Sequence, residues 1–440
     1  MRSRDHQDNV DVYLDERLKP IGVLRFTSTG GRQFASFEYT PDYLQDPRAF
    51  AIDIALPLAP GVLHKGRPAT AEESVFHGCF ADAEPDGWGK RYILRSARKL
   101  GAGLPPGGLS ALDSLLAVSD YSRVGALRFK HQPDGEYLAT GRGHHTPPLI
   151  ALPQLSNAVS RVEAGVATAR DIQYLAGNAT SLDGMRPKVS VIDHDGSLAL
   201  AKFPSQQDQR DVVRCEVLAL QLAAQAGIRA ATARLEVIEQ TPVALIRRFD
   251  RRGNHRLPYL SAASLLEANP RHDNAYTEIV DGIRVHGSEA AADTLELWRR
   301  MAFNVLINNV DDHLKNHGFL HEQSGQWTLA PAFDVNPFPD KPRVLKTWLT
   351  EEVGPHASVD GLMSSIDYFR IPLAAARRML GHVAHAVTAW EAVADSLQLG
   401  RKDREQLRDL FESDGILAEA RRESGRSHVG RYRATDSPGT

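Results

Sequence analysis

The stretch of sequence that decides the fold is NVDDHLKN at residues 309–316, together with PAFD at residues 331–334. It places Asp311 five residues before Asn316 and supplies a second carboxylate, Asp334, on the next strand-like segment. Phosphoryl transfer from a magnesium nucleotide needs this order, because one carboxylate meets the incoming hydroxyl while an amide and another carboxylate hold the metal. Each residue type is common in polar loops, so the spacing and the order carry the prediction.

The composition describes a large globular protein with no strong electrostatic preference for a partner. The chain has 440 residues, of which 42% are hydrophobic and 24% charged, and a formal net charge of -3. These values exclude wholesale disorder and allow about two to three structural units. They also disfavour direct nucleic-acid binding as the main activity, since such binders are more often basic.

Redox and targeting signals predict a cytoplasmic protein with no membrane partner. Cys79 and Cys215 are far apart and lack the spacing of metal ligands, which argues against a disulfide framework or a zinc cluster. Residues 1–18 contain no apolar core of a signal peptide. No uncharged apolar run reaches the ~18 residues that cross a bilayer.

Changes of pattern along the chain predict an α+β protein with three units and a tail. Residues 1–148 form an N-terminal β-rich domain, and residues 149–253 form a mostly β lobe. Residues 254–420 form a helical lobe, and residues 421–440 form a mobile, arginine-rich tail.

Local signals predict the elements of the two lobes. Asp195-Gly196 between two alternating runs indicates a β-hairpin, and Gly227 ends an amphipathic helix. Thr241-Pro242 is the expected turn between a second pair of strands. The predicted elements are helices over residues 153–168, 212–226 and 373–390, and strands over residues 189–192, 197–203, 233–238 and 243–249.

A lysine and a glutamate in the β lobe extend the phosphoryl-transfer pattern. Lys202 shares a strand face with two leucines, so it must either snorkel to solvent or meet an anion. Glu216, on the following helix, could hold that flexible ammonium in place against the α and β phosphates of a nucleotide. Taken singly, both residues are more simply a snorkelling lysine and an exposed helix carboxylate. Their order with the downstream loop favours the functional interpretation.

Within the loop, the five-residue interval to Asn316 selects Asp311 over Asp312 as the catalytic base. The alternative is that both carboxylates cap the helix that follows. Asn316 and Asp334 are the expected ligands of Mg²⁺, which prefers oxygen.

Two histidines near this loop offer a different metal chemistry. His313 and His317 are spaced four apart, as zinc ligands on a helix would be. With Asp311 they would form a metal-dependent hydrolytic site. Against a zinc site, Gly318 follows His317 directly and no third zinc ligand is evident. Packing of His313 as a support for the loop is the other interpretation.

The segment NATSLDGMRPK at residues 178–188 is the candidate phosphate-binding loop. It matches neither a Walker loop nor the three-glycine loop of ordinary protein kinases. Gly184 would let backbone amides approach phosphates, but taken singly the segment is an ordinary loop.

Together these motifs resemble the HipA family of bacterial serine/threonine kinases, the toxins of HipBA-type toxin-antitoxin modules. The resemblance covers most of the chain except the tail. The motifs that carry it are SLDGMRPK at residues 181–188, KFP at 202–204, RFDR at 248–251, DDHLKN at 311–316 and PAFD at 331–334, with GVL at 22–24, FEY at 37–39, AEPDGWG at 83–89 and VGAL at 124–127 in the N-terminal domain.

The resemblance implies an atypical protein-kinase-like fold of two lobes with the additional N-terminal domain, and the use of ATP with Mg²⁺. It implies transfer to serine or threonine on a protein of the translation machinery, for which aminoacyl-tRNA synthetases are the family precedent. The implied partner is a helix-turn-helix antitoxin of HipB type, with DNA reached only through that antitoxin. The alternative function is a nucleotide-sensing corepressor subunit for such an antitoxin, with little or no turnover.

Matching motif positions also implies the role of each site residue. Asp311 is the base, Lys202 meets the phosphates beside Glu216, and Asn316 and Asp334 bind metal. The backbone of residues 247–249 is the hinge to adenine. The residues expected to contact the nucleotide are Asp183, Gly184, Met185, Arg186, Pro187, Lys188, Lys202, Arg247, Arg248, Phe249, His313, Lys315, Asn316, Phe333 and Asp334.

Ser181 matches the serine that family members autophosphorylate. A phosphate dianion there would compete with the nucleotide phosphates for the same amides and switch the enzyme off.

Three positions depart from the family pattern. Asp183 lies where many relatives have a small neutral residue, and its carboxylate could weaken nucleotide binding unless Arg186 or Lys188 offsets it. Arg247 stands where an acidic residue is frequent, and Phe333 replaces the more usual tyrosine.

Overall fold

The chain folds into an N-terminal sheet, a second sheet that forms a β lobe, and a helical lobe. The computed structural model describes residues 6–68, 70, 73–85, 87–99, 108–131, 133, 135–140, 146–175, 186–322, 326–413 and 415–426. No helix within these ranges is both long and apolar enough to cross a membrane.

The N-terminal sheet is antiparallel throughout. Its strands are β1 (His6–Leu14), β2 (Gly22–Thr29), β3 (Arg32–Tyr39), β4 (Leu63–His64) and β5 (Leu127–Lys130), in the order β4-β3-β2-β1-β5. The helices of this region are α1 (Pro41–Leu44), α2 (Gly78–Ala81), α3 (Gly87–Lys99) and α4 (Ala111–Ala117). Gly30 and Gly31 join β2 to β3 with φ of 59° and 79°, as a tight hairpin turn requires. These strands agree with the β-rich character expected of the N-terminal region.

The β lobe carries the two predicted strand pairs and the helix between them. It contains α5 (Leu152–Glu163), α6 (Ala169–Leu175), β6 (Lys188–Ile192), β7 (Leu198–Lys202), α7 (Val212–Gln225), β8 (Ala233–Ile238) and β9 (Thr241–Arg247), with the antiparallel order β6-β7-β9-β8. Gly196 (φ 79°) shapes the β6–β7 turn, and Gly227 (φ 74°) follows the end of α7. The hairpin and the glycine-terminated helix are therefore confirmed.

The predicted turn at Thr241-Pro242 is wrong. Glu239 and Gln240 form the turn with φ of 47° and 74°, and Pro242 lies inside β9 opposite Val237. The ladder between β7 and β9 ends at Ala244, so β9 has only β8 as a neighbour at Pro242. A residue without an N–H is tolerated where one side of a strand has no ladder.

The first helix of the β lobe is shorter than its predicted range of 153–168. Gly165 adopts φ of 75° and donates to the Val162 carbonyl, while the N–H of Val166 donates to the Arg161 carbonyl. This pair of bonds is the glycine-dependent cap that ends many helices, and it breaks the helix before α6.

The helical lobe surrounds several short strands. Its helices are α8 (Ala262–Leu265), α9 (Tyr276–His286), α10 (Ala290–Ile307), α11 (Val359–Ser364), α12 (Leu373–Val387), α13 (Trp390–Ser396), α14 (Arg401–Arg408) and α15 (Ile416–Ser424). Its strands are β10 (Arg251–Arg252), β11 (His255–Arg256), β12 (Tyr259–Ser261), β13 (Asn274–Ala275), β14 (Gly318–His321), β15 (Trp327–Leu329) and β16 (Thr347–Trp348).

Two ends in the helical lobe differ from expectation. The helix predicted over residues 373–390 ends at Val387, and α13 begins at Trp390. Helix α15 extends into the predicted tail as far as Ser424, because Leu417 and Ala420 are buried and Glu423 pairs with Arg377 at 2.9 Å. Residues 427–440 lie outside the described residues.

One apolar core extends from the N-terminal sheet into the helical lobe. Phe37 and Phe80 belong to the same buried cluster as Leu260 and Trp298. A second core lies under the β lobe, and α3 from the N-terminal region contributes Trp88 to it, with Trp88 Nε1 3.2 Å from Glu163. The N-terminal region therefore packs on both lobes, and the limits of the predicted domains stay a prediction.

A buried ionic cluster, here called the interdomain clamp, joins the N-terminal region to the end of the β lobe. It consists of Asp120, Arg123, Arg128, Arg248, Asp250, Arg251 and Arg256. Asp250 accepts from the Gly125 N–H at 2.8 Å, and Arg248 donates to the Ser122 carbonyl at 3.0 Å. Burial alone would raise the pKa of Asp250, but Arg248 and Arg251 hold it well below its usual range. The VGAL and RFDR motifs thus meet each other in the fold.

Candidate active site

Lys202 is enclosed between two carboxylates at the mouth of the β lobe. Strand β7 places its Nζ 2.5 Å from Glu216 Oε1 on α7 and 2.7 Å from Asp334 Oδ1. Lys202 is 9% exposed and Glu216 is 3% exposed. The interpretations of Lys202 as a snorkelling lysine and Glu216 as an exposed helix carboxylate are therefore wrong.

The charges of this cluster keep Lys202 cationic. Burial alone would lower the pKa of Lys202, but Asp334 and Glu216 more than offset that effect and raise it. Burial raises the pKa of Glu216 against the opposing charge of Lys202. Burial would also raise the pKa of Asp334, yet Lys202 and Lys188 bring it down to about 2.

The loop that bears Asp311 begins from a fixed point at the end of α10. Asn308 takes the left-handed conformation with φ of 57°, a position that asparagine tolerates after a helix. Its Nδ2 donates to the carbonyls of Phe338 at 2.7 Å and Lys341 at 2.9 Å. Asn309 Nδ2 donates to Asn304 Oδ1 at 3.1 Å. Side-chain amides thus hold both the helix end and the segment after Asp334.

Asp312 is buried, and three side chains hold its Oδ2. Its Oδ2 contacts His317 Nε2 at 2.9 Å, accepts from Asn304 Nδ2 at 2.9 Å and accepts from the Tyr276 hydroxyl. Burial would raise the pKa of Asp312, but the charge and hydrogen bond of His317 and the hydroxyl of Tyr276 hold it below its usual value. Asp312 therefore supports the loop and is not available to a substrate.

Asp311 is the accessible carboxylate of the pair. Its side chain is 43% exposed, and its Oδ1 lies 2.5 Å from Nζ of Lys346. Within the described residues Oδ2 has no hydrogen-bond partner. The short 3₁₀ turn Leu314–Asn316 has no side-chain cap, so the alternative in which Asp311 and Asp312 cap a helix is wrong.

The residues expected to bind metal fit a hard cation. Asn316 Nδ2 donates to the Asp311 carbonyl at 3.3 Å, while Asn316 Oδ1 is buried without a partner in the described residues. An unsatisfied buried acceptor costs about 1–3 kcal/mol, which a metal ligand bond would remove. Asp334, with φ of 56°, supplies a carboxylate in a sparsely populated conformation of the kind that collects at functional sites. An amide oxygen and a carboxylate suit Mg²⁺.

The zinc alternative is contradicted by the same geometry. Within the described ranges no group of three or more His, Cys, Asp or Glu side chains could hold a metal ion. His317 instead directs Nε2 to Asp312, and His313 is half-buried beside the loop.

An apolar slot adjoins the lysine cluster. Leu200 and Ile246 line it from the sheet, and Phe249 and Phe333 line it with ring centroids 5.3 Å apart. Lys188, Lys202, Arg247, Arg248 and Asp334 complete the lining. A flat slot with aliphatic and aromatic walls beside cationic groups suits a nucleotide base whose phosphates reach the lysines.

The predicted hinge is tied into the sheet and the clamp. The N–H of Arg247 donates to the Thr232 carbonyl and the N–H of Arg248 to the Leu198 carbonyl, both at 2.9 Å. The Arg247 side chain lies 3.3 Å from Asp195, and the Arg248 guanidinium belongs to the clamp. Both arginines can therefore line the slot with backbone, but their side chains are engaged elsewhere.

Much of the predicted phosphate loop lies outside the described residues, including Ser181, Asp183, Gly184 and Met185. Arg186 is paired with Asp208 at 2.9 Å, so the structure engages it with a carboxylate other than Asp183. Pro187 accepts from the Phe203 N–H at 3.0 Å. Lys188 is buried and lies opposite Lys202 in the strand register, and Lys315 is exposed.

A chain of hydrogen bonds runs from the N-terminal region to the loop of Asp311. Asp82 accepts from the Ser261 N–H at 2.7 Å and hydroxyl at 2.8 Å, and the next N–H, of Ala262, donates to the His317 carbonyl at 2.7 Å. Burial raises the pKa of Asp82 to about 6, against the hydrogen bonds from Ser261 and the charge of Lys315.

Sequence reasoning missed Tyr276, Asn304, Lys346 and the clamp. Lys346 reaches Asp311 from a segment without a motif, so no local signal could have indicated it. The pair Asn308-Asn309 directly after an apolar helix was a usable signal, because asparagine favours the left-handed cap.

Family models match both parts of the chain. The HipA N-terminal domain matches residues 10–130, and the HipA-like C-terminal domain matches residues 180–393. The chain belongs to the HipA family. The HipA of Shewanella oneidensis MR-1, solved with HipB and its operator DNA, has a TM-score of 0.66 at 16% identity, covering 94% of this chain and 99% of that one. The predicted family and the atypical kinase-like, two-lobed fold with an N-terminal domain are confirmed.

Two curated relatives carry the name kinase. Y4mE of Sinorhizobium fredii is 25% identical over 185 residues, which are 36% of this chain and 42% of the relative. A Haemophilus influenzae protein is 32% identical over 69 residues, which are 15% of this chain and 20% of the relative. The similarity thus spans less than half the length of either relative.

Proposed function

We propose that this HipA-family protein is an ATP-dependent serine/threonine protein kinase that acts in the cytoplasm as the toxin of a type II toxin-antitoxin system. The observation that carries the proposal is the enclosed cation Lys202 between Glu216 and Asp334, next to an apolar slot. Ordinary structural ion pairs do not need an adjoining apolar slot, a carboxylate oxygen open to solvent and a buried amide oxygen without a partner in the described residues. A site for a metal-bound triphosphate needs all of these features.

Each residue of the site then has a role in transfer. Asp311 accepts the proton of the incoming hydroxyl through its free Oδ2 and orients that oxygen. Lys202, aimed by Glu216, binds the nucleotide phosphates, and Leu200, Ile246, Phe249 and Phe333 hold the base and exclude water. Asn316 and Asp334 would hold Mg²⁺. Bound ATP with Mg²⁺ supplies the phosphoryl group and neutralises its charge.

The partners follow from the family. The Shewanella protein was solved with HipB and operator DNA, and we propose a helix-turn-helix antitoxin of HipB type for this chain, with DNA reached through it. The acceptor is a serine or threonine on a protein of the translation machinery, an aminoacyl-tRNA synthetase being the first candidate.

Transfer from labelled ATP with Mg²⁺ tests the proposal, using the purified chain with a lysate fraction as acceptor. Asp311→Asn should lower the transfer rate by about 10² to 10⁴, because a general base contributes that much. Asp340→Asn is the matched control, since Asp340 is exposed on the segment that follows Asp334. No label on any protein, or equal label with Asp311→Asn, would contradict the kinase proposal. DNA binding that appears only with the antitoxin, without transfer, would support the corepressor function instead.

Autophosphorylation at Ser181 is a separate part of the proposal. We expect mass spectrometry of active protein to find phosphate on Ser181, and Ser181→Ala to keep transferring phosphate to other proteins. Phosphate found only at other positions would contradict this part and leave the transfer reaction standing.

A further inference from the structure

Lys346 makes the only side-chain contact of Asp311 within the described residues. Its Nζ lies 2.5 Å from Asp311 Oδ1, and the two side chains are 57% and 43% exposed. The contact occupies one carboxylate oxygen and leaves Oδ2 open. An incoming hydroxyl would meet that open oxygen. Lys346 would therefore contact the proposed base without contacting the reacting atoms themselves.

The backbone fixes the position from which Lys346 reaches Asp311. The N–H of Lys346 donates to the Val310 carbonyl at 3.2 Å, and the N–H of Thr347 donates to the Asp312 carbonyl at 3.1 Å. Thr347 Oγ1 donates to the same carbonyl of Asp312 at 2.8 Å. Three hydrogen bonds therefore bind the segment of Lys346 to the loop of Asp311, one to the residue before Asp311 and two to the residue after it.

A second strand anchors that segment from behind. Strand β16 pairs in parallel with β13, with Thr347 opposite Asn274. Helix α9 follows β13 directly and begins at Tyr276, whose hydroxyl donates to Asp312. The lysine and the proposed base thus stand on one hydrogen-bonded frame.

Stability does not explain the ion pair. Exposed pairs contribute about 0–1 kcal/mol, because solvent screens the charges and a long lysine side chain loses rotamer freedom. The hydrogen bonds of Lys346 and Thr347 to the Val310 and Asp312 carbonyls fix both segments independently of this pair. The fixed frame therefore serves the placement of the two charges more than the folding of the loop.

We propose that Lys346 is a positioning residue of the transfer site that acts through Asp311. Its ammonium holds Oδ1, sets the carboxylate plane and presents Oδ2 to the incoming hydroxyl, so that loss of Lys346 leaves the base free to rotate. The inference rests on the proposed kinase function. Small errors in the placement of a reacting group lower rates strongly, while binding of the nucleotide at Lys202 is unaffected.

Three variants of the full chain test this role. Lys346→Met should lower kcat by about tenfold or more, less than loss of the base itself, and leave KM for ATP within about twofold. Lys346→Arg keeps the cation and should retain more activity than Lys346→Met. Lys341→Met removes an equal charge from the same segment without touching Asp311 and should keep kcat within about twofold. The free energy of unfolding of all three should stay within about 1 kcal/mol of the wild type.

A double-variant cycle separates action through Asp311 from an independent contact with phosphate. In the Asp311→Asn background, Lys346→Met should cause no further loss, because the group it positions is already gone. An equal fold-loss in both backgrounds would overturn the proposal, and so would a kcat of Lys346→Met within twofold of wild type. Failure of the wild-type chain to transfer phosphate would instead contradict the kinase function itself.

Discussion

The interdomain clamp and the proposed transfer site are both ionic clusters, but the clamp is the more buried of the two and they differ in how completely their carboxylate and amide oxygens are used. In the clamp, both oxygens of Asp120 and both oxygens of Asp250 accept hydrogen bonds from arginines, and Gly125 adds a backbone bond to Asp250. In the transfer site, Asp311 Oδ2 and Asn316 Oδ1 have no partner in the described part of the chain.

In our proposal, this difference separates a structural cluster from one that binds a ligand. Charges buried for structure must be fully compensated, because each uncompensated group costs several kcal/mol. A ligand-binding site instead keeps polar atoms without protein partners next to fixed charges, so that the ligand can bind them. The clamp therefore should respond to mutation mainly through stability, and the transfer site mainly through activity.

The largest effect is expected from Asp250→Ala, which breaks the clamp. Removing this carboxylate leaves the buried Arg248 and Arg251 uncompensated and should lower the free energy of unfolding by about 3–5 kcal/mol. Urea unfolding at neutral pH measures the change. Glu405→Ala, at an exposed pair with Arg401, is the control and should cost about 0–1 kcal/mol. Equal losses for the two variants would remove the distinction drawn for the clamp.

Asp334→Asn, in the proposed transfer site, should lower activity more than stability. We expect phosphate transfer to fall by about 10² or more, because the proposed site loses the carboxylate that would hold Mg²⁺. Unfolding should change less than in Asp250→Ala, since Lys202 keeps Glu216 as its partner. Asp367→Asn, at an exposed position, is the matched control. A stability loss larger than that of Asp250→Ala would show that this cluster is structural too.

Substitutions of Asn308 test whether its left-handed conformation at the end of α10 stabilises the loop of Asp311. Both Asn308→Ala and Asn308→Gly lose the bonds to Phe338 and Lys341, but only glycine accepts φ of 57° without strain. Thermal or urea unfolding should find the alanine variant less stable than the glycine variant by about 1 kcal/mol. If the alanine variant is the more stable one, the left-handed cap is not what fixes the loop.

Asp82 should give an effect that is visible only as a dependence of stability on pH. Its pKa is raised from 3.8 to about 6 in the folded protein. The folded state therefore holds this proton more tightly, and the stability linked to Asp82 is present below about pH 4 and lost as pH rises through about 6. The difference in unfolding free energy between wild type and Asp82→Asn should shift against the wild type from pH 5 to pH 7.5. Parallel pH curves for the two proteins would contradict this linkage.

The sequence predicted the parts of the site that depend on local order. Spacing and periodicity placed Lys202 on a strand, Glu216 on the next helix and a polar loop after an apolar helix, and the fold brings Lys202, Glu216 and Asp334 into contact. It did not predict the turn at Glu239-Gln240 or the early end of α5. A proline can stand in a turn or in a strand that is paired on one side only, and a glycine can lie inside a helix or end it, so neither residue decides the structure locally.

By itself the sequence determined which residue types stand in which order, and therefore the family and the elements that carry the site. Only the tertiary structure decided that Asp312 is buried against His317 while Asp311 meets solvent and Lys346, and that Asp250 binds Gly125 across the clamp. The physical reason is that periodicity and turn signals report interactions between near neighbours along the chain. Burial and charge pairing between distant segments arise only when the whole core packs, and single charged residues leave no periodic trace of the partner they will meet.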